Sequence, residues 1–389
     1  MLFVYFYEMK NAVIVCCLLL IGCNKESNQP VPDIFILVKE FQELDSKNTV
    51  SIEVTLSSPY NDALSLPFIS VEGSAKNGTD YTSNSGTIDF PAGVIASSFN
   101  IELIGDEHLE LTEIFKVLIT VDGQDQEFEI TIRDDDNYVI SRDDDGYITP
   151  IEYPSMQLIW NDEFDGEVLN EADWGYNIGN GCAEGICGWG NEELQTYTDL
   201  PENVRLENGN LLITAIENPN YTSARVLTEG KREFQFGRID IRAKMPHGQG
   251  IWPALWMLGT NIGTVGWPIC GEIDIMELIG NKPTTVHGTV HYDNNGYASK
   301  TSTRSLSGNN LADEYHVYSL VWERNSIKWY VDYDEYNFVT QKQIGESYPF
   351  NNPSYLLMNI AIGGKWPGDP DETTIFPQKM IVDYIRVFQ

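Results

Sequence analysis

Short runs in which apolar and polar residues alternate recur along almost the whole chain. In the first third they are VSIEVTL (50–56), GTIDF (86–90), SSFNIEL (97–103), IFKVLITV (114–121) and EFEITI (127–132), parted by turn-forming stretches such as KNGTDY and PAG. Beyond residue 155 they are NLLITAIEN (210–218), FGRIDIRAKM (236–245), VHGTVHY (286–292), VYSLVWER (317–324), SIKWYVDY (326–333), YLLMNIAIGG (355–364) and MIVDYIRVF (380–388). Alternation with period two marks strands buried on one face. No long stretch carries helical periodicity, and no internal repeat is present. The pattern predicts an all-β protein with a smaller antiparallel sandwich over 31–136 and a larger two-sheet sandwich over 155–389.

Two segments break the pattern. Asn11 to Gly22 (NAVIVCCLLLIG) is an apolar run too short to span a bilayer, preceded by Met9-Lys10 and followed by Cys23. Leu20-Ile21-Gly22-Cys23 looks like a bacterial lipobox, so 1–22 reads as a lipoprotein signal peptide, Cys23 as the lipidated residue and 23–30 as a polar tether. A lipid anchor in the outer membrane is the expected location, at the cell surface or, as the alternative, at the periplasmic face. The second break is DDDNYVISRDDDGYITP, Asp134 to Pro150, which reads as a solvated acidic linker over 137–154.

Charge and cysteine content narrow the partners. The 389 residues carry a net charge of −34, which argues against nucleic acid and against an anionic membrane surface. All nine tryptophans lie beyond residue 150, so the two halves differ in task. In an exported chain a Cys182–Cys187 bridge is plausible, and Cys270 reads as a buried apolar residue. No CxxC or Cys/His pairing suggests a transition-metal site.

The chemistry concentrates in GEIDIMELIG (271–280), where Glu272, Asp274 and Glu277 are set among Ile273, Ile275, Met276 and Leu278. In a regular strand Glu272 and Asp274 share a face while Glu277 points away. A β-bulge at Ile275-Met276 restores the phase and puts all three on one face. Four effective steps of ~3.3 Å then separate the two glutamate Cα atoms by about 13 Å. Side chains leaning together leave carboxyls ~5 Å apart, the spacing of a retaining rather than an inverting glycosidase. One glutamate would stay ionised as nucleophile, and the other, its pKa raised by its neighbour, would protonate the leaving oxygen. Acids interleaved with core residues need a lined cleft, unlike a solvated acidic face or a calcium loop.

The signature GEIDIME resembles that of glycoside hydrolase family 16. So do LIWNDEFDG (158–166), WGNEELQTYTDLPENVRLENGNLLITA (189–215), YTSARV (221–226), FGRIDIRAKMPHGQGIWPALWMLG (236–259), VHGTVHY (286–292), NIAIGGKWPG (359–368) and VDYIRVF (382–388), in order. The resemblance is to the laminarinase branch. It implies a concanavalin-like β-jelly-roll domain over 155–389 that cleaves β-1,3-glucan, or also mixed β-1,3-1,4-glucan, as a monomer with no catalytic cofactor. It implies Glu272 as nucleophile, Asp274 as its assistant and Glu277 as general acid/base, with a histidine of 286–292 near the acid/base, for which His291 is preferred over His287. Arg225 and Asn191 look like substrate hydrogen-bonders. It also implies a structural calcium on Glu163, the backbone of Gly209, and Asp383. Trp252, Trp256, Trp267 and Trp366 are candidate sugar platforms, with core packing the alternative, undecided for Trp256. Trp160, Trp322 and Trp329 read as core and His316 as structural. His287 and His291 share a strand face, yet no third metal ligand stands near them in the sequence.

Gly78-Thr79-Asp80-Tyr81, Phe90-Pro91-Ala92-Gly93, IELIGDEHLELTEIFKVLI and Ile132 to Asp136 resemble the Calx-beta domain, which implies an immunoglobulin-like sandwich. Its acidic loops would offer Asp106, Glu107, Glu110 and Asp134 to Asp136 to calcium. Its one histidine, His108, stands in a loop, and no catalytic constellation is present, so a spacer or adhesion role is expected. The alternatives for the larger domain are another polysaccharide such as agar, or glycan binding without catalysis. A net charge of −16 beyond residue 150 (16 Lys+Arg against 32 Asp+Glu) favours a neutral glucan over a sulfated galactan.

Overall fold

A computed structural model describes residues 30–107, 110–135, 141–153, 155–308 and 310–389. The apolar run 11–22, Cys23, His108 and Asp136 lie outside the described residues. No helix among the described residues is long and apolar enough to cross a membrane.

The first sandwich pairs a four-stranded sheet with a five-stranded one. Alternate residues of Asn48–Leu56, Ala96–Leu103, Glu113–Val121 and Gln124–Arg133 enclose Ile52, Phe90, Phe115, Val117 and Ile130, none more than 1% exposed. Leu64–Val71 is the longest of this sandwich's strands that were not expected, Pro67 interrupting its alternation. The fold accommodates the proline: the ladder to Glu113–Val121 covers only Phe68–Val71, so Pro67 lies beyond it.

The second sandwich stacks a ten-stranded sheet on a seven-stranded one. The strands of the seven-stranded sheet are β1 (Gly175–Asn177), β2 (Arg225–Leu227), β3 (Ile251–Gly259), β4 (Glu272–Glu277), β5 (Thr285–Asp293), β6 (Tyr297–Ser305) and β7 (Ser354–Ile362). Across the sheet they run β1-β2-β7-β3-β4-β5-β6, every pair antiparallel. β6, YASKTSTRS, is an edge strand with almost no apolar residues, which hid it from a hydrophobic pattern. Between the sheets lies one core in which Trp174, Trp322 and Trp329 are buried and Trp160 is packed at the margin. His316 is structural: its Nδ1 lies 2.8 Å from Asp332 Oδ2 at a fully buried position.

The acidic linker is folded where it is described, although Ser141 to Asp145 stay exposed. Ser141–Asp143 and Gly146–Ile148 form a hairpin that adds to the ten-stranded sheet through Tyr147 N to Tyr315 O (2.9 Å) and Tyr315 N to Asp145 O (2.9 Å). The Arg242 guanidinium donates to Asp143 Oδ1 (2.8 Å), to Tyr147 O (2.7 Å) and to Asp383 Oδ2 (2.6 Å). Arg386 donates to Thr149 O (3.0 Å), and the Tyr153 hydroxyl donates to the buried Asp240 (2.7 Å). Composition suggested a loose tether because of the acidic triplets at 134–136 and 143–145; two arginines of the neighbouring sheet pin it down. The larger folded unit therefore begins near residue 141, ahead of the boundary expected at 155.

Candidate active site

A cleft of about 740 Å³ runs across the outer face of the seven-stranded sheet. Register decides which side chains face it. Glu272 stands opposite Leu258 and His291, Asp274 opposite Trp256 and Thr289, and Glu277 opposite Ala254 and His287. All nine of these residues line the cleft, while Ile273, Ile275 and Met276 point into the core, at most 1% exposed.

The phase shift that lets Glu277 join the face is a β-bulge. Trp256 pairs with Asp274 and Leu255 with Met276, so Ile275 has no partner on β3. On β5 the four residues from Asp274 to Glu277 face only the three from Thr289 to His287. An unpaired carbonyl in a core is costly, and two side chains of the opposite sheet take the bulge's carbonyls. Trp329 Nε1 donates to Asp274 O (2.8 Å) and the Tyr336 hydroxyl to Ile275 O (2.9 Å). Gly288 makes room for them: a Cβ there would lie 2.8 Å from both Trp329 Cδ1 and Tyr336 Oη.

Each outer glutamate is held by an indole. Trp252 Nε1 donates to Glu277 Oε1 (2.9 Å) and Trp267 Nε1 to Glu272 Oε2 (3.0 Å). His291 Nε2 lies 3.0 Å from Asp274 Oδ2 and 3.7 Å from Glu272 Oε1, and its Nδ1 lies 2.9 Å from the Tyr297 hydroxyl. The approach to Asp274 is off the line of a hydrogen bond, and Asp274 Oδ2, in a residue 4% exposed, has no hydrogen-bond partner. His291 thus sits with Glu272 and Asp274. His287 is the histidine opposite Glu277, which corrects the expectation, since both share one face and only the bulge settles their register.

Burial raises all three carboxyls to about 8. The Asp274 charge adds to the rise at Glu272 and Glu277, while a charged His291 and the two indole N–H groups oppose it. The expected split, with one acid left near its ordinary value, is replaced by a trio that holds fewer than three negative charges at neutral pH.

Aromatic groups flank the acids. Trp366, 39% exposed, meets Trp252 edge-on at 5.4 Å, and Trp267, 49% exposed, stacks on Tyr297 at 5.3 Å. Trp256 is half-buried on the cleft floor with its Nε1 donating to Asn359 Oδ1 (2.8 Å), which places it in the cleft rather than the core. At the far end Arg225 lies 3.9 Å above the ring of Trp189, and Asn191 Nδ2 donates to Glu193 Oε1 (3.1 Å). Trp189, Glu193, His287 and Tyr297 were not anticipated as lining. Trp189 and Glu193 stand beside Asn191 in WGNEE, and this was the only signal for them. The Cys182–Cys187 disulfide closes the loop that carries Ile186 and Trp189 to this wall, and Cys270 is free and buried.

The residues expected to hold calcium meet without forming a cluster. Asn161 and Asp162 pair with Arg386 and Ile385, and Leu211 pairs with Val382, which brings Glu163, Gly209 and Asp383 to one junction. There Arg386 grips both oxygens of Glu163 (2.9 and 2.8 Å), and Arg242 holds Asp383. The oxygens suit calcium, but as placed both carboxylates are neutralised by guanidinium groups. In the first sandwich Glu110 joins Asp80 and Glu113, neither of them anticipated, with oxygens within 4.8 Å of one another. Burial and the surrounding acids raise Glu113 to about 9 and the nearby Glu43 to about 8. Asp135 instead accepts from Leu44 N (2.8 Å), and Glu107 is exposed.

Comparison with known proteins follows the same division. Residues 190–386 match the model of glycosyl hydrolases family 16, and residues 28–143 match that of the Calx-beta domain. The chain is 40% identical over 261 residues to glucan endo-1,3-beta-glucosidase A1 of Niallia circulans, covering 60% of this chain but only 38% of that protein. It is 39% identical to a beta-glucanase of Rhodothermus marinus, over 61% of this chain and 86% of the relative. The laminarinase catalytic domain of Thermotoga maritima MSB8 superposes with a TM-score of 0.56 at 46% identity, covering 60% of this chain and 98% of that one.

Proposed function

Because the chain belongs to glycosyl hydrolase family 16, we propose that it is a retaining endo-β-1,3-glucanase that also accepts mixed β-1,3-1,4-glucan. The observation that carries this reading is the bulged strand β4, which sets Glu272, Asp274 and Glu277 on one cleft floor between two indole-held ends.

The Glu272 carboxylate attacks the anomeric carbon while Glu277, protonated, gives its proton to the glycosidic oxygen, and the bond to the leaving chain breaks. Glu272 is then esterified to the sugar and Glu277 is ionised. Glu277 next takes a proton from a water that attacks the same carbon, freeing Glu272 and returning both groups to their starting states. Asp274, raised by burial as Glu272 is, can hold the proton that the adjacent pair shares and so leave Glu272 the ionised member. Trp252, Trp256, Trp267 and Trp366 give flat apolar faces for the axial C–H groups of glucose. Arg225 is the one lysine or arginine among the lining residues, against five acids, which suits an uncharged polymer.

The test is reducing-end release from laminarin, lichenan and agarose, with Glu272→Ser as control. Release from laminarin that vanishes in the variant supports enzyme and nucleophile together. Release from agarose alone would keep the mechanism and overturn the substrate, and binding without release would leave a glycan-binding protein.

Three further elements belong to the proposal. The anchor is a lipid on Cys23 holding a monomer to the outer membrane with the cleft outward; radiolabelled palmitate should enter the parent and not Cys23→Ala. A structural calcium at Glu163, Gly209 and Asp383 would replace the Arg386 and Arg242 contacts of the two carboxylates, and chelation should then lower the melting temperature. In the first sandwich Asp80, Glu110 and Glu113 would hold calcium, lost in Glu113→Gln by calorimetry. Neither ion takes part in the chemistry.

A further inference from the structure

One ligand atom from each of Glu272, Asp274 and His291 lies within 4.8 Å of the other two, contributed by two adjacent strands. The hydrolytic cycle gives Glu272 and Asp274 their roles but assigns none to His291, which completes a set of two carboxylates and an imidazole. Three observations make it a site rather than a crowd. Asp274 Oδ2 is an orphan: the residue is 4% exposed and the atom has no hydrogen-bond partner. His291 Nε2 stands 3.0 Å from that oxygen but does not point along the line to it, which is how two atoms stand when they face a common third point. Its other nitrogen, Nδ1, is 2.9 Å from the Tyr297 hydroxyl. With Nδ1–H donating to Tyr297, Nε2 turns its lone pair toward the acids, the outer-shell arrangement common to metal-bound histidines.

The Nε2–Asp274 separation matches that around one first-row divalent ion, and the Nε2–Glu272 separation exceeds it by a few tenths of an ångström, within reach of a side-chain adjustment. At zinc–ligand distances of ~2.0–2.2 Å, neighbouring donors are ~3.0 Å apart in an octahedron and ~3.4 Å apart in a tetrahedron. The observed separations from Nε2 are 3.0 Å to Asp274 and 3.7 Å to Glu272. A mixed nitrogen and oxygen set favours zinc or copper over calcium and magnesium, which take oxygen alone. The site is open on the cleft side, leaving coordination positions for water.

We propose that the cleft is also a zinc site, in which Glu272, Asp274 and His291 bind Zn²⁺ and the bound ion blocks the nucleophile. It rests on the hydrolase reading for its consequence, inhibition, but not for the binding itself. Zinc and glucan would exclude one another, so the ion raises KM and leaves kcat unchanged, and chelation restores the rate.

Calorimetry with ZnCl₂ on the full chain tests binding apart from activity. One high-affinity ion per chain is expected, with binding weakened at least ~100-fold in His291→Gln and in Asp274→Asn. Binding should persist in Asp80→Asn, whose all-oxygen cluster is the competing location. Should His291→Gln fail to fold, Tyr297→Phe keeps the imidazole while freeing Nδ1, and is expected to lose ~10-fold in affinity. Undiminished zinc binding in these variants, absence of binding to the parent, or inhibition that laminarin does not relieve would overturn the proposal. Absence of glucan hydrolysis without zinc would instead strike the hydrolase reading and leave the ion site standing.

Discussion

Replacing Trp252 by phenylalanine removes one N–H from the site while keeping an aromatic face. That N–H donates to Glu277 Oε1 at 2.9 Å, and a hydrogen bond to a charged group contributes ~1.5–3 kcal/mol. The bond favours the ionised carboxylate, so losing it raises the Glu277 pKa further above the value of about 8 that burial already sets. The indole is half-buried, which places the effect at the low end, about one pH unit at ~1.36 kcal/mol per unit. The first step needs Glu277 protonated, so the alkaline limb of the rate profile follows its pKa and moves to higher pH. The assay is reducing-end release from laminarin, at substrate well below KM, across the acid to alkaline range. Trp256→Phe is the control, because its N–H goes to Asn359 and not to an acid. Losing catalytic efficiency through weaker stacking is expected of both variants; only Trp252→Phe should shift the limb. An unmoved limb, or one shifted to lower pH, would refute the assignment of Glu277 as the proton donor held by Trp252.

Other consequences are checked more briefly. Tyr336→Phe strips the donor from the Ile275 carbonyl and should cost ~1–3 kcal/mol in urea unfolding, with activity falling as the bulge slackens. Glu277→Gln should be more stable than the parent at pH 8, with the gain gone near pH 4. The folded pKa of Glu277 is raised, so the parent loses stability as pH climbs from the unfolded value of ~4.3 through about 8, and the amide does not. A melting series of both proteins against pH shows whether the curves diverge in that window. A chain begun at residue 155 should melt about 5 °C or more below one begun at 141, through loss of the Asp143, Tyr147 and Tyr153 contacts, at roughly 2–4 °C per kcal/mol.

Alternation made the strands of the first sandwich legible because they bury one face, while Ser354–Ile362 and His316–Glu323 of the larger one are apolar runs buried on both. Where neither condition held, the reading lapsed: β6 is a polar edge strand, and Pro67 interrupts Leu64–Val71. The three acids of β4 were readable together because apolar neighbours on both sides left them one way to share a face. Their electrostatics were not, since the rise at every carboxyl comes first from burial, which no local spacing encodes. His287 and His291 look equivalent in VHGTVHY; only the extra residue between Asp274 and Glu277 decides which one faces which acid. The hairpin of 141–148 misled for a related reason. Asp143 reads as one more solvated acid until Arg242, a hundred residues away, is placed against it.

The central claim is that Glu272 forms a covalent bond to the sugar, so that two inversions leave the anomeric configuration unchanged. Proton NMR of the newly released reducing ends, recorded in the first moments of laminarin cleavage before mutarotation, reads this directly. The account predicts that the β-anomer appears first and the α-anomer only later as the sugar equilibrates. An α-anomer formed first would mean a single displacement by water, and would remove Glu272 from the role of nucleophile.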